Sequence, residues 1–383
     1  MSSPDEHLKR ELSSRSEKAQ AELKGFSKAE VHIALIGETG VGKSSLMNAI
    51  VGSKVAETGG TGEITQQALR VPYRDTGLVF WDLPGCGTPN HPRECYIEKQ
   101  GLLDKDKYDV FVLISDKRIR EGDEELYRRL WKENGRPVFV VRTHFDQVVD
   151  ETSEAEARKL IEKDIRKQLK VDQDLYPYIV ALKGPCRYDL GKLVEDITNS
   201  LSGWKHDKAV MVVAALTEDL LKKKREAVEK IVDRCALVSA ANGLNPIPGL
   251  DISVDVGTLA IMARFVTSAY GLRDDQLEYR TRHIPTAGAV QIVHKIAKPV
   301  VEYLAKEAII ALFKRFGTRV AAKAVSKWIP IVGQAVAAYL GWQLTRYFGG
   351  QLIDDCEKAA REVSEFLISQ NAEPNTALDR PGV

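Results

Sequence analysis

The sequence predicts an α/β fold, a mostly parallel sheet covered by helices on both faces, joined to an all-α helical region. Three observations carry this. Short apolar runs between Val31 and Leu182, rich in β-branched and aromatic residues, alternate with helix-like stretches. A glycine-rich loop, Gly37-Glu38-Thr39-Gly40-Val41-Gly42-Lys43-Ser44, lies between the first such run and the first helical stretch. From about Trp204 onward the apolar spacing is helical only.

Residues 1–28 are rich in Glu, Lys, Arg and Ala and read as a charged helix outside the sheet domain, which is expected to span 29–203. Val31–Ile36 is the first strand, and residues 45–50 start a helix. The segment 55–62 is a loop containing Thr58-Gly59-Gly60-Thr61-Gly62, followed by Glu63-Ile64-Thr65 and a strand-like run towards Val71. Further strands are expected at 78–81, 110–114, 137–141 and 178–182, with helices at 94–103, 123–134, 153–169 and 188–201 between and after them. A helical domain follows over 204–370, with helices at 211–237, 252–270, 289–316, 331–348 and 353–368, and then a polar tail, 371–383. In the third of these helices Ile292, Ile296, Val300, Leu304, Ala308 and Leu312 form one stripe, kinked at Pro299.

At 383 residues the chain is long enough for two cores. Its 55 basic and 54 acidic residues leave a net charge of +1, so no bulk attraction to nucleic acid or lipid is implied and no nucleic-acid partner is expected. The five cysteines show neither CxxC pairs nor a disulfide framework, which fits a reducing, cytoplasmic compartment. The start reads as no secretory signal, Ser2 excludes N-myristoylation, and no apolar stretch is long enough to span a bilayer. Any membrane contact should be peripheral.

The glycine-rich loop has the strand, loop, helix context of a phosphate cradle. Its glycines let successive backbone N–H groups point inward, where they and the helix N-terminus hold phosphate oxygens. Gly37, Glu38, Thr39, Gly40, Val41, Gly42, Lys43, Ser44 and Ser45 are therefore the expected nucleotide contacts. Lys43 is expected to reach the β- and γ-phosphates and Ser44 to coordinate Mg2+. A bare glycine-rich turn is the bland alternative. Asp82-Leu83-Pro84-Gly85 follows its strand directly, as a sensor of the third phosphate must: Asp82 is placed to hold magnesium through water, and the Gly85 N–H to bond the γ-phosphate.

Base identity is expected to be read at Arg142-Thr143-His144-Phe145-Asp146. A guanine presents N1–H and N2–H donors side by side, and the Asp146 carboxylate can accept both. The usual motif has lysine where His144 stands. Lys183, after the last strand, is a weaker candidate for reading the guanine O6. Thr65 is the first choice for a switch threonine on magnesium, with Thr61 and Thr58 as open alternatives. Cys86 follows Gly85 where small GTPases place a water-orienting glutamine, so intrinsic hydrolysis of GTP to GDP should be slow unless a partner acts in trans.

The motifs Gly37 to Ser45, Val79-Phe80-Trp81-Asp82-Leu83-Pro84-Gly85, Tyr96-Ile97-Glu98-Lys99, and Phe139-Val140-Val141-Arg142-Thr143 with Asp146 resemble the interferon-inducible immunity-related GTPases, dynamin-like proteins of cell-autonomous immunity. The resemblance implies a Ras-like P-loop GTPase domain and a composite helical domain built from N- and C-terminal segments. It also implies nucleotide-dependent self-assembly into a homodimer or oligomer, related GTPases as partners, and action on intracellular membranes in innate defence. By the same resemblance Glu63 is a candidate catalytic group in a dimer of GTPase domains, beside Lys43, Thr65 and Gly85. The departures are His144 and the missing N-terminal glycine. Two rival readings stay open: a GTP-binding scaffold with little or no turnover, and a membrane-associated protein in which the nucleotide domain is only regulatory.

In the helical half His294, Lys295, Lys298, Lys306, Lys314, Arg315, Arg319, Lys323 and Lys327 interleave with aliphatic residues. This pattern fits a face laid on anionic lipid or the solvated side of a bundle, and both stay open. Gly333, Ala335, Ala337, Ala338 and Gly341 allow close helix contact in either setting.

Overall fold

The computed structural model describes residues 4–56, 68–87, 91–119, 121–149, 153–171, 175–182, 187–242, 256–282, 287–301 and 333–372. The chain divides into two compact units, Ala29–Leu220 and the pair Met1–Lys28 with Leu221–Val383. Helix α1 (Pro4–Lys28) belongs to the second unit.

The first unit is a six-stranded sheet in the order β2-β3-β1-β4-β5-β6. Its strands are β1 (Val31–Ile36), β2 (Leu69–Pro72), β3 (Leu78–Leu83), β4 (Val110–Ser115), β5 (Val138–Arg142) and β6 (Tyr178–Ile179). Only β2 runs antiparallel to its neighbour. The continuous apolar character of β1 and β4 has a direct cause. Val31, Ile33 and Leu35 of β1 and Val110, Val112 and Ile114 of β4 enter a core with α2 (Lys43–Val51) and α7 (Leu190–Asn199). Ala34, Ile36, Phe111 and Leu113 enter a second core with α3 (Arg93–Gln100), α4 (Glu121–Tyr127) and α6 (Glu154–Gln168). Strands buried on both faces have no polar face to show. Register then sets the site: Ile36 lies opposite both Leu83 and Leu113, and Ser115 opposite Arg142, so the loops leaving β1, β3, β4 and β5 emerge side by side.

The helix expected over 211–237 is two helices, α8 (Gly203–Val212) and α9 (Glu218–Asn242). The break is made by docking. The Ala214 N–H donates to the Ile50 carbonyl at 2.7 Å, and a side chain on Gly52 would meet the Ala214 Cβ at 3.0 Å. Thr217 Oγ1 then accepts the Leu220 N–H at 3.1 Å and starts the next helix. Because α8 packs on β1 and β3, the sheet unit runs past residue 203 to Leu220.

The helical unit adds α10 (Val256–Ala269), α11 (Asp274–Thr281), α12 (Ala287–Val301) and α13 (Gly333–Ala372). The two helices expected over 331–348 and 353–368 are one, the 40-residue α13. Between the two expected helices, a Cβ on Gly349 would lie 2.4 Å from Val232 Cγ1, so this glycine serves close approach to α9. Gly341 does the same beside the Ser239 carbonyl. On α12 the buried line is Val293, Ala297 and Val300, while Ile292, expected on the inner stripe, is 45% exposed. An unbroken i, i+4 series drifts around a 3.6-residue helix, and the packed line needs a step of three. The stripe beyond Val301, and the basic residues from Lys306 to Lys327, lie outside the described residues. Among the described residues no helix is long and apolar enough to cross a membrane.

Lys224 of α9 is fully buried, and burial pushes its ammonium down to about 7 from an ordinary 10.5. Below about pH 7 the folded and unfolded chains both hold this proton, so stability does not vary with pH through this group there. Between that value and 10.5 only the unfolded chain holds it, so stability rises with pH. Lys224→Met should therefore change stability more favourably at about pH 6 than at about pH 9, by roughly 2–3 kcal/mol. Denaturant titrations at the two pH values check this, and an equal gain at both would refute it.

Candidate nucleotide site

Gly37 leaves β1 so close to β4 that a Cβ there would lie 2.5 Å from the Ile114 carbonyl oxygen. Gly40 and Gly42 have φ of 89° and 96°, a left-handed backbone that curls the loop back on itself. Helix α2 starts at Lys43 with no side-chain cap on its first turn, so its leading N–H groups point into the loop for a ligand.

The Lys43 side chain is folded into this curl and only 6% exposed. Its Nζ donates to the carbonyls of Gly37 at 2.7 Å and Glu38 at 2.8 Å, and stands 3.5 Å from Asp82 Oδ1. Burial lowers the Lys43 ammonium, with Asp82 and Glu38 opposing. Burial likewise raises the Asp82 carboxyl, with Lys43 opposing. Asp82 Oδ1 is buried and has no hydrogen-bond partner. A buried carboxylate oxygen that meets only the Lys43 ammonium suits a hard cation that keeps waters and phosphate oxygens as its other ligands. Among the described residues no three His, Cys, Asp or Glu side chains gather as a self-sufficient metal cage.

The end of the Asp82 to Gly85 turn comes back to the phosphate loop, since a Cβ on Gly85 would lie 3.4 Å from Glu38 Cγ and 3.7 Å from the Glu38 amide nitrogen. Tyr96 holds the turn by donating its hydroxyl to the Pro84 carbonyl. Cys86 is 7% exposed. Its thiol is pushed up to about 12 by burial, then by Asp123 and Glu125. It stays protonated and cannot serve as a base for water.

Thr143 follows β5 and binds the motif to the loop: its N–H donates to the Ser115 carbonyl at 3.0 Å, and its Oγ1 to the Val41 carbonyl at 2.7 Å. His144 has a left-handed φ of 57°. Its ring lies on the phosphate loop, Cε1 being 3.9 Å from a Cβ placed on Gly42. Phe145 is buried edge-on against Tyr188, ring centroids 4.7 Å apart. Asp146 starts the short helix α5 (Asp146–Val149) and is half-buried. The fold thus brings Gly37 to Ser45, Asp82, Gly85, Thr143 and His144 together. Glu63, Thr65, Thr58, Thr61 and Lys183 lie outside the described residues.

Sequence reasoning missed Ser115, Asp116 and Arg118, which line one cleft with Gly37, Glu38, Gly85 and Cys86. They form no motif. Their signal was positional: β4 neighbours β1 in a parallel sheet, so its carboxyl end must open beside the phosphate loop.

A family model described as Interferon-inducible GTPase (IIGP) matches residues 7–339. The chain belongs to this family. Interferon-inducible GTPase 5 of Rattus norvegicus is 26% identical over 371 residues, covering 92% of this chain and 79% of the relative. Interferon-inducible GTPase 1 of Mus musculus is 27% identical over 279 residues, covering 68% and 66%. Among solved structures, a point variant of Era from Aquifex aeolicus bound to GDP and AlF4- is 20% identical, with 57% of this chain and 68% of that one covered and a TM-score of 0.33. The resemblance read from the motifs is therefore borne out. As a member of the interferon-inducible GTPase family the chain is a GTP hydrolase, with GTP as substrate and GDP as product.

Proposed function

We propose that this GTPase is magnesium-dependent, that its nucleotide state controls association with further copies of itself and with related GTPases, and that it acts peripherally on intracellular membranes in innate defence. The observation that carries the nucleotide half is the buried Lys43 beside the orphaned Asp82 oxygen. In this reading the N–H groups of the loop and of the α2 start receive phosphate oxygens, and Lys43 turns its charge from the Gly37 and Glu38 carbonyls to the β- and γ-phosphates. Ser44, Asp82 through water, and Thr65 would hold Mg2+, which offsets charge on the β- and γ-phosphates when bound. The Gly85 N–H senses the third phosphate. Asp146 takes the guanine donors while Thr143 keeps that segment against the loop, and Lys183 stands at the O6 side.

The protonated, enclosed Cys86 thiol supplies no water-activating group. The reading assigns that task to Glu63 in an assembled pair of GTPase domains. His294, Lys295 and Lys298 are exposed on α12 beside exposed Ile292, a basic and apolar surface that supports contact with anionic lipid. The same Cys86 environment also favours a second reading, a GTP-binding scaffold that hardly turns over. One assay separates them: phosphate release per molecule against protein concentration, with GTP and ATP in parallel. A GTP-specific rate that climbs with concentration is expected. A flat, near-zero rate supports the scaffold, and equal rates with ATP remove the base assignment.

A further inference from the structure

We propose that Tyr96 sets the direction of the third-phosphate sensor: by holding the Pro84 carbonyl it fixes the peptide unit whose other polar group is the Gly85 N–H. The inference rests on the reading of Gly85 as that sensor. A peptide unit is planar, and in its trans form the C=O and N–H point in opposite directions, so a partner that holds one aims the other. The Pro84–Gly85 unit is trans, and the Tyr96 hydroxyl donates to its carbonyl. Pro84 is buried, so a carbonyl left there without a donor would carry the cost of an unpaired polar group. The Gly85 N–H is then turned away from Tyr96. Among the described residues it has no hydrogen-bond partner. Gly85 itself lies on the phosphate loop, where a Cβ on it would come within 3.6 Å of Glu38 Cα and 3.7 Å of the Glu38 amide nitrogen.

Tyr96 can hold that direction because its own ring has nowhere to turn. It is 1% exposed and shares a core with Ile36 of β1, Leu83 of β3, Leu113 of β4 and Leu126 of α4. His91 meets it edge-on, ring centroids 6.3 Å apart. Burial raises the phenol well above its ordinary value of 10.0, so the hydroxyl keeps the proton it donates. The hydrogen bond also draws charge onto the Pro84 oxygen, which makes the N–H of the same unit a stronger donor. A nucleotide with a third phosphate gains from both the aim and the polarisation. GDP gains from neither. Tyr96 is therefore a positioning residue, acting on the nucleotide only through the Pro84–Gly85 unit.

The test uses the full chain carrying carbon-13 at proline carbonyls and nitrogen-15 at glycine, which selects the amides of Gly85, Gly249 and Gly382, each preceded by proline. The signal missing from Gly85→Ala is that of the sensor. Replacing bound GDP by the non-hydrolysable imido analogue of GTP, both saturating and with Mg2+, should move the Gly85 signal in the unsubstituted chain. Tyr96→Phe keeps the ring in its core and removes only the hydroxyl. In that variant the movement should largely vanish. The analogue should bind about tenfold more weakly, the scale of one hydrogen bond, while GDP stays within about twofold. A Gly85 signal that moves as far in Tyr96→Phe as in the unsubstituted chain overturns the proposal and leaves the sensor reading standing. Equal weakening of both nucleotides does the same, since that is the mark of a ring that only packs. A Gly85 signal blind to the third phosphate in the unsubstituted chain removes the sensor reading itself, and the proposal with it.

Discussion

Lys43→Ala should weaken GTP binding by about a hundredfold or more, the loss expected when charge-assisted hydrogen bonds worth about 3 kcal/mol are removed. Without nucleotide the ammonium is spent on two carbonyls and a carboxylate 3.5 Å away. The shifts at Lys43 and Asp82 both run the way burial drives them, so each charge offsets only part of the other's desolvation. In the proposed complex phosphate oxygens and a divalent cation would complete the balance, so removing the lysine should cost more there than in the free protein. Titration with a fluorescent nucleotide measures the loss. Thermal unfolding with and without GTP provides the control, since ligand should raise the midpoint of the unsubstituted protein and leave the variant unmoved. Unchanged affinity would remove Lys43 from the phosphate site.

Asp146→Asn should exchange guanine for xanthine. In the proposed reading the carboxylate accepts from guanine N1–H and N2–H together, whereas an asparagine presents one acceptor and one donor group. Its amide N–H then faces the guanine amino group but finds an acceptor oxygen at the same position on xanthine. A site left with mismatched polar groups rejects its former ligand strongly, so GTP should lose about a hundredfold and xanthosine triphosphate gain by a similar factor. The fold makes this outcome interpretable. Thr143 is bonded to Val41 and Ser115 through its own hydroxyl and N–H, and none of these contacts involves the Asp146 side chain. Phosphate binding should therefore persist while base preference moves. Competition by GTP and xanthosine triphosphate reads the exchange, and an unaltered ratio would show that Asp146 does not read the base.

The elements that could be read from sequence are those whose cause is local. Val31–Ile36 and Val110–Ser115 announce themselves because both faces are buried, and Gly40 and Gly42 because a left-handed backbone favours glycine. Helix boundaries were harder wherever a small residue answers to a distant partner. Ala214 breaks a helix by docking on Ile50, and Gly349 continues one by making room for Val232. Nothing within a few positions of either residue distinguishes the two outcomes.

By itself the sequence determined the sheet-plus-helices architecture, the glycine-rich loop that leads into α2 at Lys43, and the turn after Asp82, because periodicity and motif spacing are written along the chain. Tertiary structure alone decided that Asp82 presents an orphaned oxygen to Lys43, that Ser115 and Asp116 border the site, and that Thr143 bonds Val41 across 102 positions. These depend on which strand ends the register sets side by side, and that juxtaposition is a property of the folded sheet.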